Sequence, residues 1–190
     1  MYRYRVLQNT PAELGPIWRL AHDVYSKEGY CDPQPDGLLR HYPHLDLIPH
    51  TRVIAAYDDT GLAGTNSLTL DSAAGLHTDS AFPWETKMER QSCLLTGLTL
   101  GSSWRIVTRE PGVQLVLGLI GRSIDEAEDM GLDAVLFTFH PKHVRIYRHL
   151  LGLEAVTGPR DDPSVLANPA VLMRGDMMRI RQMWNRRVGA

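Results

Sequence analysis

Phe139-His140-Pro141-Lys142-His143-Val144-Arg145-Ile146-Tyr147, running on through Arg148-His149-Leu150-Leu151-Gly152-Leu153-Glu154, is the stretch that decides the fold. The apolar run Ala134-Val135-Leu136-Phe137-Thr138 comes directly before it and reads as a strand buried on both faces. Pro141 suits the first turn of a helix, where a missing N–H is no loss. The unit is a buried strand that delivers a Pro-started helix, with Tyr147 one turn before a Leu-Gly-Leu-Glu exit. Upstream, Gly112 precedes a helix in which Val113, Val116, Leu117, Ile120, Ile124 and Ala127 form one stripe, closed by Met130-Gly131-Leu132. Strand, helix and strand in that order imply a parallel pair with a right-handed crossover.

Toward the N-terminus, Leu94-Leu95-Thr96-Gly97-Leu98-Thr99-Leu100 reads as the central strand, and Gly97 within it marks a bulge, a bend or a molecule bound alongside. Residues 71–91 before it read as irregular. Residues 31–49 do so too, because Pro33, Pro35, Pro43 and Pro49 leave room for only one short turn around Leu38 and Leu39. Residues 52–57 and 65–70 read as antiparallel strands joined through Asp58-Asp59-Thr60-Gly61. Arg5-Val6-Leu7 is a further strand. Thr10 and Pro11 then cap and start a helix carrying Leu14, Ile17, Leu20, Ala21, Val24 and Tyr25, which Gly29 closes. Residues 168–173 make a last strand. The sum is an α/β domain with a mixed sheet over residues 1–176 and a basic helix or tail over 177–190.

With 190 residues and a formal net charge of −2, the chain suits one well-buried domain. It offers no global field for nucleic acid or an anionic membrane. Cys31 and Cys93 match neither a metal-ligand nor a redox spacing, which suits free thiols in a reducing cytoplasm. Met1-Tyr2-Arg3-Tyr4-Arg5 opens with charge but reaches no apolar core of signal length, and no apolar run approaches a membrane span. A soluble, unexported protein is expected. Arg174, Arg179, Arg181, Arg186 and Arg187 are a solvated basic face or a phosphate-binding patch.

Three groups of residues are candidates for chemistry. Arg109-Glu110-Pro111-Gly112-Val113-Gln114 leads into a helix start, where unpaired N–H groups and the helix dipole hold phosphate; the same residues also make a plain loop-to-helix cap. His140, His143 and His149 lack a third ligand at convincing spacing, so no metal is expected. His140, placed before Pro141, is a polar cap or a general base for neutral pH. Tyr147 is a core aromatic of its helix or a phenolic acid.

Four segments together resemble the acyltransferases of the GNAT superfamily, in particular the branch of long-chain N-acyl amino acid synthases and, more distantly, acyl-homoserine-lactone synthases. Val24-Tyr25-Ser26-Lys27-Glu28-Gly29-Tyr30 is similar to that branch's tyrosine-rich helix end. Gly64-Thr65-Asn66-Ser67-Leu68 with Asp71-Ser72-Ala73-Ala74-Gly75-Leu76 is similar to its Gly-Thr strand and Asp-Ser-x-x-Gly-Leu continuation. His140-Pro141-Lys142-His143-Val144-Arg145-Ile146-Tyr147 resembles Asn-Pro-Arg-His-x-x-Phe-Tyr, and Asn168-Pro169-Ala170-Val171-Leu172 resembles the terminal strand.

The resemblance implies transfer of a fatty acyl group, from the phosphopantetheine of an acyl carrier protein or from coenzyme A, to the amine of an amino acid or similar small molecule. It implies Tyr147 as the acid beside the thioester sulfur, with His140 and Asp71 as further catalytic candidates. It also implies Leu98, Thr99, Leu100, Arg109 and Gly112 for the donor, with Tyr25 and Glu28 for the acceptor. The family's pyrophosphate loop ends in Gly or Ala where this chain has Gln114, which favours a carrier protein over a nucleotide. The family's central strand carries Glu, two residues, Arg and Leu; with Leu94 and Gly97 at the charged places, both charges are expected to be absent. Three readings follow: an N-acyltransferase on a fatty thioester, a conventional acetyl-CoA-dependent N-acetyltransferase, and a catalytically silent acyl-binding protein. Leu95, Leu98, Leu100, Phe82 and Trp84 line an acyl tunnel or are ordinary core.

Overall fold

The computed structural model describes residues 1–188. In chain order it contains β1 (Arg3–Leu7), α1 (Pro11–Glu28), α2 (Pro43–Asp46), β2 (Thr51–Asp58), β3 (Gly61–Leu70), α3 (Pro83–Thr96) and β4 (Leu100–Thr108). These are followed by α4 (Val113–Asp129), β5 (Ala134–Phe139), α5 (Pro141–Leu151), β6 (Glu154–Ala155), β7 (Arg160–Asp162), β8 (Asn168–Asp176) and α6 (Met177–Arg187). The strands form one mixed sheet in the order β1-β2-β3-β4-β5-β8-β6, with β7 paired to β8. Only β4 and β5 run parallel, as the strand-helix-strand pattern predicts.

Side-chain alternation along the strands assigns the two faces. Val53 and Ala55 of β2 pack under Leu14, Ile17 and Trp18 of α1. The intervening Ile54 and Ala56 meet Leu115 and Leu119 of α4 on the other side. On β5, Ala134 and Leu136 join Phe82 and Cys93, while Val135 and Phe137 join the α4 and α6 residues Ile120, Ile124, Ile180 and Trp184. Each fully buried aliphatic side chain of this kind contributes roughly 1.5–3 kcal/mol. Three of the arginines around α6 meet acids: Arg174 pairs with Glu89, Arg179 with Glu154, and Arg181 with Asp125 and Glu128. The end of the expected basic tail, residues 189 and 190, lies outside the described residues.

Two expectations fail between residues 38 and 100. The short turn is the helix α2, begun by Pro43, and does not centre on Leu38 and Leu39. Residues 83–96 are a helix rather than an irregular segment leading into a strand. Pro83 occupies its first turn, and Gly97, at φ 68°, closes it in the left-handed conformation. Leu94 and Leu95 are 80% and 87% exposed on its last turn, so they are neither strand nor core. The central strand begins only at Leu100.

Candidate active site

Beyond residue 103 the two parallel strands part. Residues 100–103 pair with 134–137, after which β4 bonds only β3 and β5 bonds only β8. The divergence opens a cleft of about 910 Å³. At its head β4 bulges: Thr65 faces Val107 and Ser67 faces Trp104, so Arg105 and Ile106 oppose the single residue Asn66. Arg105 takes φ 66°, a conformation that costs a non-glycine residue about 1–3 kcal/mol and persists only where its surroundings impose it. Here they do. The fully buried guanidinium of Arg105 pairs with the fully buried carboxylate of Asp46 on α2, and Asp46 Oδ2 also accepts the Trp18 indole N–H at 2.7 Å.

This geometry corrects the comparison made on the central strand. Leu94 and Gly97, matched to the Glu-x-x-Arg-Leu pattern as part of the central strand, instead lie on α3 and at its cap, and the strand itself spans residues 100–108 and carries Arg105. Leu94 and Gly97 therefore give no support to a catalytically silent protein.

Tyr147 stands on α5 at the β5 side of the cleft, its ring stacked on Phe139 with centroids 3.9 Å apart. Burial holds its phenol pKa above the ordinary value, so it stays protonated and able to donate. His140, also at the cleft, caps α5: its Nδ1 accepts the Lys142 N–H at 3.2 Å. Tyr25 and Glu28 from α1 and Arg109 from the end of β4 line the same cleft. Arg109 is already engaged, donating to Asp58 and the Thr60 hydroxyl at 2.7 Å and to the Leu62 carbonyl at 3.1 Å.

The other expected residues are not brought there. Asp71 lies at the far end of β3, where it pairs with Arg90 at 2.7 Å and its N–H meets the Leu100 carbonyl. Leu98 and Thr99 form the turn before β4, and Leu100 is buried at that strand's start, at the end away from the bulge. Gly112 caps α4 from an extended conformation without lining the cleft. Phe82 is core and Trp84 is 64% exposed, so neither forms a tunnel.

An aromatic chamber closes the α1 side of the cleft. His41 stacks on Tyr42 at 4.3 Å, Tyr25 meets His41 edge-on, and His77 lies between Tyr42 and Trp104. None of these but Tyr25 was singled out from the sequence. The signals were there: Asp46 is a lone acid among Leu45, Leu47 and Ile48, and Arg105 a lone charge within Trp104-Arg105-Ile106-Val107.

Burial, with help from the Arg105 charge, lowers the His41 pKa to about 4, and burial lowers that of His77 to about 3. Unfolded, both imidazoles take a proton near the ordinary 6.5. Between those values the unfolded state binds more protons, so this contribution to stability is complete above pH 6.5 and is lost as pH falls through the window. Each imidazole adds a slope of up to about 1.4 kcal/mol per pH unit. Urea unfolding across this range is expected to show the loss, and His77→Asn to flatten it.

The splayed β4 and β5 strands, the strand bulge and the helix-borne tyrosine define an acyltransferase of the GNAT fold. A sequence model of the FeeM family, the N-acyl amino acid synthases, matches residues 16–176, and the chain belongs to that family. The fold is similar to that of FeeM, an N-acyl amino acid synthase from uncultured soil microbes, at a TM-score of 0.81 and 20% identity over 96% of this chain and 95% of that one. It is also similar to BjaI, a CoA-dependent acyl-homoserine lactone synthase (TM-score 0.68, 15% identity, 100% and 90% of the two chains). An acyl-CoA N-acyltransferase from Pseudomonas aeruginosa gives 0.63 at 20% identity, covering 92% and 99%. No curated protein sequence matches the chain. The protein is an enzyme that transfers an acyl group to an amine.

Proposed function

We propose that the protein moves a long-chain acyl group from an acyl carrier protein to the amine of an amino acid or similar small molecule in the cytoplasm. The observation that carries this reading is the opening between β4 and β5 with the Tyr147 phenol at its side. A thioester lying in that opening meets the β4 backbone beyond residue 103, which has no strand partner on that side. Those backbone groups suit the carbonyl oxygen as charge develops on it. The free amine attacks the carbonyl carbon, the C–N bond forms and the C–S bond breaks. The phenol of Tyr147 gives its proton to the departing thiolate and is reprotonated by the proton that the nitrogen loses.

Three features favour a carrier protein over coenzyme A. Arg109 is tied to Asp58, Thr60 and Leu62 through both terminal nitrogens of its guanidinium, which leaves it poorly placed to hold a pyrophosphate. Pro111 and Gln114 reduce the loop's fitness for one. Beside the cleft, α5 has no acidic residue, and its Lys142, Arg145 and Arg148 are exposed, a surface that suits an acidic partner. Behind Tyr147, Ile106, Ile120, Ile124, Val135 and Phe137 form an apolar wall, which suits an apolar group. Cys31 and Cys93 are unpaired, which supports the cytoplasm. Coenzyme A remains the second reading, since BjaI is CoA-dependent.

The test is incubation with long-chain acyl carrier protein, long-chain acyl-CoA and acetyl-CoA in turn, each with pooled amino acids, followed by mass spectrometry. An N-acyl amino acid formed fastest from the carrier protein is expected. Faster turnover of acetyl-CoA would overturn the reading.

A further inference from the structure

β4 carries no acidic residue, yet a buried carboxylate reaches the cleft from another element. Asp162, the last residue of β7, is only 4% exposed and lines the cleft. Its Oδ1 has a structural task, accepting the Ser164 N–H at 2.9 Å and the Ser164 hydroxyl at 2.6 Å to cap the turn that follows. Its Oδ2 accepts no hydrogen bond from any described residue, and no described Arg, Lys or His forms an ion pair with it. Capping accounts for one oxygen; it accounts for neither the other nor the burial.

The surroundings are arranged around this group. Tyr42 donates its O–H to the Ser164 hydroxyl at 3.0 Å, and His41 donates Nε2–H to the Ser164 carbonyl at 2.8 Å. Tyr25 and Tyr30 complete the wall. The buried cation of the cleft, Arg105, is already paired with Asp46, and His41 stays neutral because its pKa is held at about 4. Asp162 has no ion-pair partner among the described residues, and a cation entering the chamber supplies one. Aromatic faces around a carboxylate favour the same ligand.

We propose that Asp162 Oδ2 anchors the ammonium group of the acceptor substrate. The inference rests on the reading of this cleft as the acyltransfer site and names its acceptor class, primary amines that are cationic at neutral pH. Anchored there, the amine loses one proton to solvent before it attacks the thioester.

Asp162→Asn tests it, because the amide oxygen still accepts both Ser164 bonds while the charge is gone; Asp162→Ser, which also caps turns, is the second variant. Binding of benzylammonium and of neutral benzyl alcohol is measured by calorimetry, alongside turnover. The wild type is expected to prefer benzylammonium by at least about tenfold, the scale of one charge-assisted hydrogen bond. Both variants are expected to lose that preference and to raise KM for the amine about as much, with KM for the acyl donor and Tm unchanged. A variant that keeps the preference and the amine KM overturns the assignment. A wild type that acylates no amine yet shows the Asp162-dependent preference overturns the acyltransfer reading and leaves the cation site standing.

Discussion

Asp46→Ala is expected to destabilise the protein by about 3–5 kcal/mol, the cost of stripping one partner from a buried ion pair. Both side chains are fully buried, so the Arg105 guanidinium would be left charged in a dry interior. The Trp18 indole N–H loses its acceptor in the same step. For a chain of this size the melting temperature falls by on the order of ten degrees. Removing both charges as Asp46→Leu with Arg105→Met costs less than removing one, since no uncompensated charge remains, and urea midpoints of the single and double variants read the coupling directly. Equal losses in the single and double variants would mean that packing, not charge, holds the bulge. The effect reaches function because α2 and α1, through Asp46 and Trp18, fix the residue whose φ of 66° shapes β4 at the head of the cleft.

The same pair shows what the sequence makes legible. Periodicity finds α1, α4, β2, β3 and β5, because each has one apolar face or an unbroken apolar run, and Thr10, Gly29 and Gly152 punctuate helices as their chemistry dictates. The failure at α3 is a failure of period. Leu94 and Leu95 look like strand because they are adjacent and apolar, yet both face outward from a helix whose buried face consists of Thr86 and Cys93. Pro83 as a first-turn residue and Gly97 as a closing one carried the signal. That shift of register hides Arg105 and puts the expected donor residues Leu98, Thr99 and Leu100 at the end of β4 away from the cleft. The chamber is hidden for another reason: His41 and Tyr42 precede the four-residue α2, Asp46 ends it and Asp162 ends the three-residue β7, and their meeting depends on long-range contacts such as Tyr42 with Ser164, which no local pattern encodes.

Tyr147→Phe is the second large effect, a fall in kcat of about 10²–10³-fold with both KM values nearly unchanged. The ring stays stacked on Phe139, where packing needs no hydroxyl, so Tm is expected to hold. On the proposed mechanism only the proton donor is lost, and a thiolate expelled without one carries its full charge in a partly buried cleft. The dependence on leaving group separates this role from simple positioning. An aryl thioester, whose thiolate is already stable, needs no protonation, and with it the variant is expected to recover most of the wild-type rate. If the variant is slow with alkyl and aryl donors alike, the hydroxyl positions the thioester instead. If it is slow with neither, Tyr147 serves only the aromatic stack that holds α5 against β5.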